Sequence, residues 1–149
     1  MTCAPFISQP GAVIGADEPV AQAVRLLAAN AFAPLPVVDD NRRVTGIFGP
    51  RELATLLLPM GARLAGDTFD LGFVSETPRA LQERLADAGQ SKVAAHAGAV
   101  DPIHADTSLD EALLRLHRGE PLLIVADDAG RLTGIVTAAA LLAPLAEGC

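Results

Sequence analysis

The sequence predicts an α+β (α/β) protein made of two copies of one strand–helix–strand–strand–helix unit. Three observations predict it. Residues 37–47 (VVDDNRRVTGI) recur as residues 125–135 (VADDAGRLTGI) at an offset of 88, with seven of the eleven positions identical. Such self-similarity at a fixed offset marks a duplicated structural unit. In both copies an apolar run, a polar segment containing Asp-Asp and a second apolar run follow one another, the pattern of two strands joined by a tight turn. Each hairpin is preceded by apolar residues at helical spacing. These are Val20, Ala23, Val24 and Leu27 in the first copy, and Leu109, Ala112, Leu113 and Leu116 in the second. That i, i+3, i+4, i+7 set forms one buried helix face.

Taken in order, residues 1–11 are polar and bear prolines, and read as a loose arm. Residues 12–14 are a brief apolar strand. Asp17 and Pro19 announce the first helix, and residues 33–36 (APLP) stop it, because proline blocks helix continuation. Strands follow at 35–38 and 43–48 around a turn at 39–42. Gly49-Pro50 opens a second helix, with proline near the first position, where a missing N–H costs little. Its apolar face is Leu53, Leu56, Leu57 and Met60.

The second copy repeats this order. Ala105-Asp106 matches Ala16-Asp17 at an offset of 89, so one residue has been lost before the hairpin. Ser108 and Glu111 fit a capping box. Gly119-Glu120-Pro121 ends that helix. Strands at 122–125 and 131–136 and a helix at 138–145 complete the copy. Residues 61–98 have no counterpart. Within them, Thr77 caps a short helix over 78–88, read as a linker helix packed on the core or, alternatively, as a lid or extra contact surface.

Composition narrows the function. Half of the residues are hydrophobic and the mean hydropathy is +0.35, so a core can be built. Tyr and Trp are absent, so that core is aliphatic. The net charge is −7 and Lys92 is the only lysine, which argues against nucleic acid and anionic membranes as partners. No apolar run reaches the ~20 residues of a spanning helix. No secretory leader is evident at the N-terminus, and Cys3 and Cys149 at opposite ends do not suggest a disulfide framework. A cytoplasmic location is the expectation.

These residues resemble a pair of CBS domains, a Bateman module. The likeness rests on two tandem units with a Pro-bearing approach, an apolar strand, Asp-Asp, a short turn and h-x-G-h-h. The organisation it implies is a first CBS repeat over 12–60, a linker with a short helix over 61–98, and a second CBS repeat over 99–146. The resemblance further implies repeats packed through their sheets about a pseudo-twofold axis, and a homodimer. It also implies clefts that bind an adenosine-containing regulatory ligand such as AMP, ADP, ATP or S-adenosylmethionine. The family signature, G-h-h-[ST]-x-x-D, runs from the last strand into the last helix; its hydroxyl meets phosphate and its Asp meets the ribose hydroxyls. A helix N-terminus suits phosphate, and a carboxylate can accept from two vicinal hydroxyls.

In the first copy the run is Gly46-Ile47-Phe48-Gly49-Pro50-Arg51-Glu52. Gly49 stands for the hydroxyl residue and Glu52 for the Asp, and Arg51 can supply charge to a phosphate. In the second copy Thr137 keeps the hydroxyl, but Ala140 replaces the carboxylate. Pro34 and Pro121 mark the strands whose neighbouring backbone, in the family, lines the adenine pocket.

Each candidate also has a plainer reading. Glu52 suits the first turn of a helix by its charge, Thr137 is an ordinary N-cap, and Asp39, Asp40, Asp127 and Asp128 serve turn chemistry rather than a metal. His96, His104 and His117 show no metal-ligand spacing, and no catalytic arrangement or P-loop is present. The expectation is therefore a non-enzymatic regulatory module that signals to an unidentified target protein. The alternative is a degenerate pair acting as a ligand-free structural or interaction module.

Overall fold

A computed structural model describes residues 1–58 and 77–149. The first half contains β1 (Ile14–Gly15), α1 (Val20–Ala29), β2 (Leu35–Val38), β3 (Val44–Phe48) and α2 (Pro50–Leu57). Helix α3 (Pro78–Ala88) follows. The second half contains α4 (Leu109–His117), β4 (Leu123–Ala126), β5 (Leu132–Val136) and α5 (Ala138–Ala146). The duplicated α+β architecture is thus present. Met60 and the insert up to residue 76 lie outside the described residues.

Both hairpins are turned by one aspartate. Asp39 Oδ1 accepts from the N–H groups of Asn41 and Arg43, both at 2.9 Å, and Asp127 Oδ1 accepts from those of Ala129 and Arg131, also at 2.9 Å. Turn chemistry therefore accounts for these two residues. Each turn ends on a left-handed residue, Arg42 (φ 62°) in the first and Gly130 (φ 82°) in the second. Only the second copy uses the residue type that tolerates this conformation best.

The two halves meet through their sheets. Val38 and Ile47 from one hairpin pack with Leu122, Ile124, Leu132 and Ile135 from the other, all buried. At the centre the turns exchange backbone hydrogen bonds: Val44 N–H donates to Gly130 O at 2.9 Å, and Leu132 N–H to Arg42 O at 3.0 Å. Behind each sheet lies a separate apolar layer, with Val20, Ala23 and Leu27 of α1 in one and Ala112 of α4 in the other. Helix α3 packs on α2 and α1, and its Arg84 guanidinium donates to Leu57 O. Thr77 Oγ1 caps it by accepting from Ala80 N–H at 3.1 Å.

Three expectations need correction. Residues 1–11 are not a loose arm. Ser8 and Ile135 exchange both backbone hydrogen bonds, at 2.9 and 2.8 Å, so this segment forms an edge on β5 of the second half. Cys3, read as lying in that arm, is fully buried, with its N–H on Thr107 O at 2.9 Å. Burial, with Glu111 nearby, pushes its thiol pKa up, which disfavours the reactive thiolate. The second copy also lacks a full first strand; Ile103 makes only a single parallel bridge to Val125. Leu113, placed by its spacing on the buried face of α4, is instead exposed. No described side chain caps α1. The N–H groups of Val20 and Ala21 donate instead to Ser91 O and Gly89 O, and Asp17 pairs with exposed Lys92 at 3.4 Å.

The first half has the matching edge. Gly98 and Ile47 exchange hydrogen bonds at 2.7 and 3.1 Å. These two straps explain the glycine of h-x-G-h-h. A Cβ on Gly46 would sit 2.8 Å from Gly98 O, and one on Gly134 would sit 2.7 Å from Ser8 O and 2.5 Å from Ile7 Cγ2. Only a residue without a side chain lets the strap backbone approach so closely. Gly134→Ala is expected to lower unfolding free energy by about 1–3 kcal/mol, with a larger rise in amide exchange at Ser8 than at Gly98. Denaturant titration and exchange mass spectrometry check this.

Candidate functional site

Between the halves opens a cleft of about 810 Å³, within the range of small-molecule sites. The first half supplies Pro34 and the start of α2, Gly49 to Glu52. The strap supplies His96 and Gly98, and the second half supplies Arg118, Glu120 and Pro121. Each half thus contributes one guanidinium and one carboxylate. The arrangement can hold a ligand that carries both an anionic group and hydrogen-bond donors.

Glu52 is set by the helix it begins. Gly49 is the N-cap and Pro50 the first residue of α2, so the side chain of Glu52 projects beside the strap. Its Oε2 is buried and has no hydrogen-bond partner among the described residues. A Cβ added to Gly98 would lie 3.1 Å from Glu52 Oε1, so the carboxylate lies against the strap backbone. Burial pushes its pKa above the ordinary carboxylate range. The N–H groups of Glu52 and Gly49 and the charge of Arg51 oppose that shift less strongly. Gly49 is buried, and a Cβ there would meet Pro34 Cβ at 3.0 Å and Cα at 3.2 Å. A side chain at this position would press on Pro34, which would have to give by a few tenths of an ångström.

Five of the sequence candidates, Pro34, Gly49, Arg51, Glu52 and Pro121, line this one cleft. Thr137 does not line it. It is the N-cap of α5, and its Oγ1 accepts from Ala140 N–H at 3.1 Å. His96, Gly98, Arg118 and Glu120 also line the cleft; the sequence offered none of them as a binding residue, and His96 stood out only for lacking metal-ligand spacing. Glu120 directly precedes Pro121, which is the one signal that pointed to it. Among the described residues no group of three His, Cys, Asp or Glu side chains can hold a metal. No helix among them is long and apolar enough to cross a membrane.

The family model for the CBS domain matches residues 5–59 and again 99–147. The chain belongs to the CBS-domain family. It carries a CBS pair, a regulatory module. No curated protein matches it. Among solved structures, it is similar to a CBS domain-containing protein of unknown function from Kribbella flavida. That match has 22% identity over 98% of this chain and 99% of the other, with a TM-score of 0.71. The CBS-pair protein CBSX2 from Arabidopsis thaliana is 22% identical over 98% and 94% of the two chains, with a TM-score of 0.75. CBSX2 in complex with AMP matches at 23% identity over 98% and 96%, with a TM-score of 0.69. These likenesses establish the shared fold.

The raised pKa of Glu52 has a direct consequence for stability. A carboxyl whose folded pKa exceeds its unfolded one favours the fold below the unfolded value, and this contribution is lost as pH rises through the folded value. Glu52→Gln abolishes that titration. Relative to the parent, its melting temperature is expected to rise from acid pH, below the ordinary carboxylate range, to neutral pH. Parallel melts across that window check the sign.

Proposed function

We propose that this CBS pair is a non-enzymatic sensor. It binds an adenosine-containing ligand in the Glu52 cleft and passes the resulting change to a partner protein. The observation that carries the reading is Glu52 Oε2, buried beside the strap without a partner among the described residues. A buried acceptor left unpaired is costly, and two vicinal ribose hydroxyls supply the donors it lacks. Arg51, at the start of α2, and Arg118, on the opposite wall, suit a phosphate. The similarity to CBSX2, solved in complex with AMP, supports the same ligand class. A ligand touching both halves shifts their relative arrangement by as much as its affinity for the two arrangements differs.

The pseudo-symmetric position on the other side of the axis reads differently. Ala140 replaces the carboxylate, and the Thr137 hydroxyl is occupied in capping α5. That side is the ligand-free one, and binding has a stoichiometry of one per chain. Calorimetry with AMP, ADP, ATP and S-adenosylmethionine tests the proposal. At least one is expected to bind at a single site, and Glu52→Ala to weaken it by roughly tenfold or more. Affinity is expected to fall as pH drops through the raised pKa of Glu52, because protonation removes the carboxylate the ribose requires. No heat from any of the four up to millimolar concentration would overturn the reading.

Homodimerisation belongs to the same proposal. Leu113 and Leu114 of α4 and Leu142 and Leu145 of α5 are exposed, and α5 carries no charged residue. In the first half α3 covers the corresponding helices. A second copy burying these leucines removes the apolar patch. Sedimentation is expected to show a dimer for the parent and a monomer for Leu142→Glu/Leu145→Glu. A monomeric parent at working concentration would overturn it.

A further inference from the structure

Arg115 lies outside the cleft, and its side chain is only 12% exposed. Its guanidinium grips Glu120 bidentately, with Nε to Oε2 and Nη2 to Oε1 both at 2.7 Å. The same Nη2 donates to the backbone carbonyl of Asp101, and Nη1 lies 3.9 Å from the Asp101 carboxylate. Glu120 is a cleft residue at the approach to β4. Asp101 directly follows the strap, whose residues Gly98 to Val100 line the same cleft. One rigid fork therefore joins two walls that are separate in sequence. A planar guanidinium with five donors suits this use, whereas a lysine ammonium cannot reproduce the fork.

Among the described residues the first half shows no such device. At the helix offset of 89, Arg115 corresponds to Leu26, which packs on the core, and Asp101 corresponds to Ala12. The tether and Glu52 therefore favour the same cleft, and the opposite side has neither.

We propose that Arg115 is a positioning residue of the Glu52 cleft, holding the strap at Asp101 and the β4 approach at Glu120 in one fixed spacing. The ligand part of this inference rests on the function proposed above; the mechanical part does not. The strap is anchored before the tether by Gly98 N–H on Ile47 O at 2.7 Å, and after it by Ile103 N–H on Ile124 O at 2.8 Å. The symmetric strap on the other half, Ser8 N–H on Ile135 O, is an internal control.

The test uses the full chain as parent, Arg115→Lys and Arg115→Met. Hydrogen exchange and AMP calorimetry are measured on each. In Arg115→Lys, which keeps the charge and the fold, exchange at Gly98 and Ile103 is expected to accelerate about tenfold, with Ser8 unchanged. AMP affinity is expected to fall about tenfold. Arg115→Met, which keeps the apolar stem, is expected to lose more of both. Equal acceleration at Ser8 would mean general loosening and would overturn the proposal, as would exchange changes confined to α4. Faster strap exchange with AMP affinity within about twofold of the parent would overturn the link to the ligand. If the parent itself binds no AMP, the proposed ligand class is in question, and the exchange arm still decides whether Arg115 holds the strap. Should Arg115→Met fail to fold, Arg115→Lys carries both measurements.

Discussion

The structure depends on the contact between two hairpins. Their turns exchange hydrogen bonds at Val44 to Gly130 and at Leu132 to Arg42, and their inner faces share one apolar layer. One sheet has three strands and the other only two, and a two-stranded sheet is marginal in water. Burying the second hairpin against its copy supplies an apolar layer it lacks alone. It also imposes the near-twofold relation, because the same residues meet at equivalent places.

That relation leaves each hairpin with one free edge, and the straps close both. Residues preceding the first half close β5, and residues preceding the second half close β3. Each strap crosses to the copy that does not follow it in sequence, so the halves are interlocked by backbone as well as by side chains. The glycines at 46 and 134 are the condition for this, since a Cβ at either would strike the strap. An edge that would otherwise invite pairing with another chain is covered.

The straps also give the cleft its chemistry. Because the strap at Gly98 lies against Glu52, the carboxylate is partly shielded from water, and among the described residues one of its oxygens has no partner. Duplication has not kept the two sides equal. Ala140 stands across the axis from Glu52 and Leu26 across from Arg115, and helix α3 packs on α1 and α2 of the first half. A symmetric frame thus presents one chemically equipped cleft and one side with different surfaces.

The sequence by itself determined the duplication, the hairpins, the buried face of α1 and the Thr77 cap. These follow from local rules: periodicity of apolar residues, aspartate closing a turn on its own backbone, and a hydroxyl accepting from an N–H three residues on. Through the family resemblance it also pointed to Gly49, Arg51 and Glu52, in one consecutive run, and to Pro34 and Pro121, which mark the strand approaches. The burial of Cys3 and the pairing of Ser8 with Ile135 were decided only by the tertiary structure. So were the cleft positions of His96, Arg118 and Glu120, the absence of Thr137 from that cleft, and the grip of Arg115 on Asp101. In each of these the partners come from segments whose meeting leaves no period or motif. A polar, proline-bearing stretch reads as an arm until an unpaired strand edge captures it, and that edge, on β5, lies more than 120 residues away in sequence.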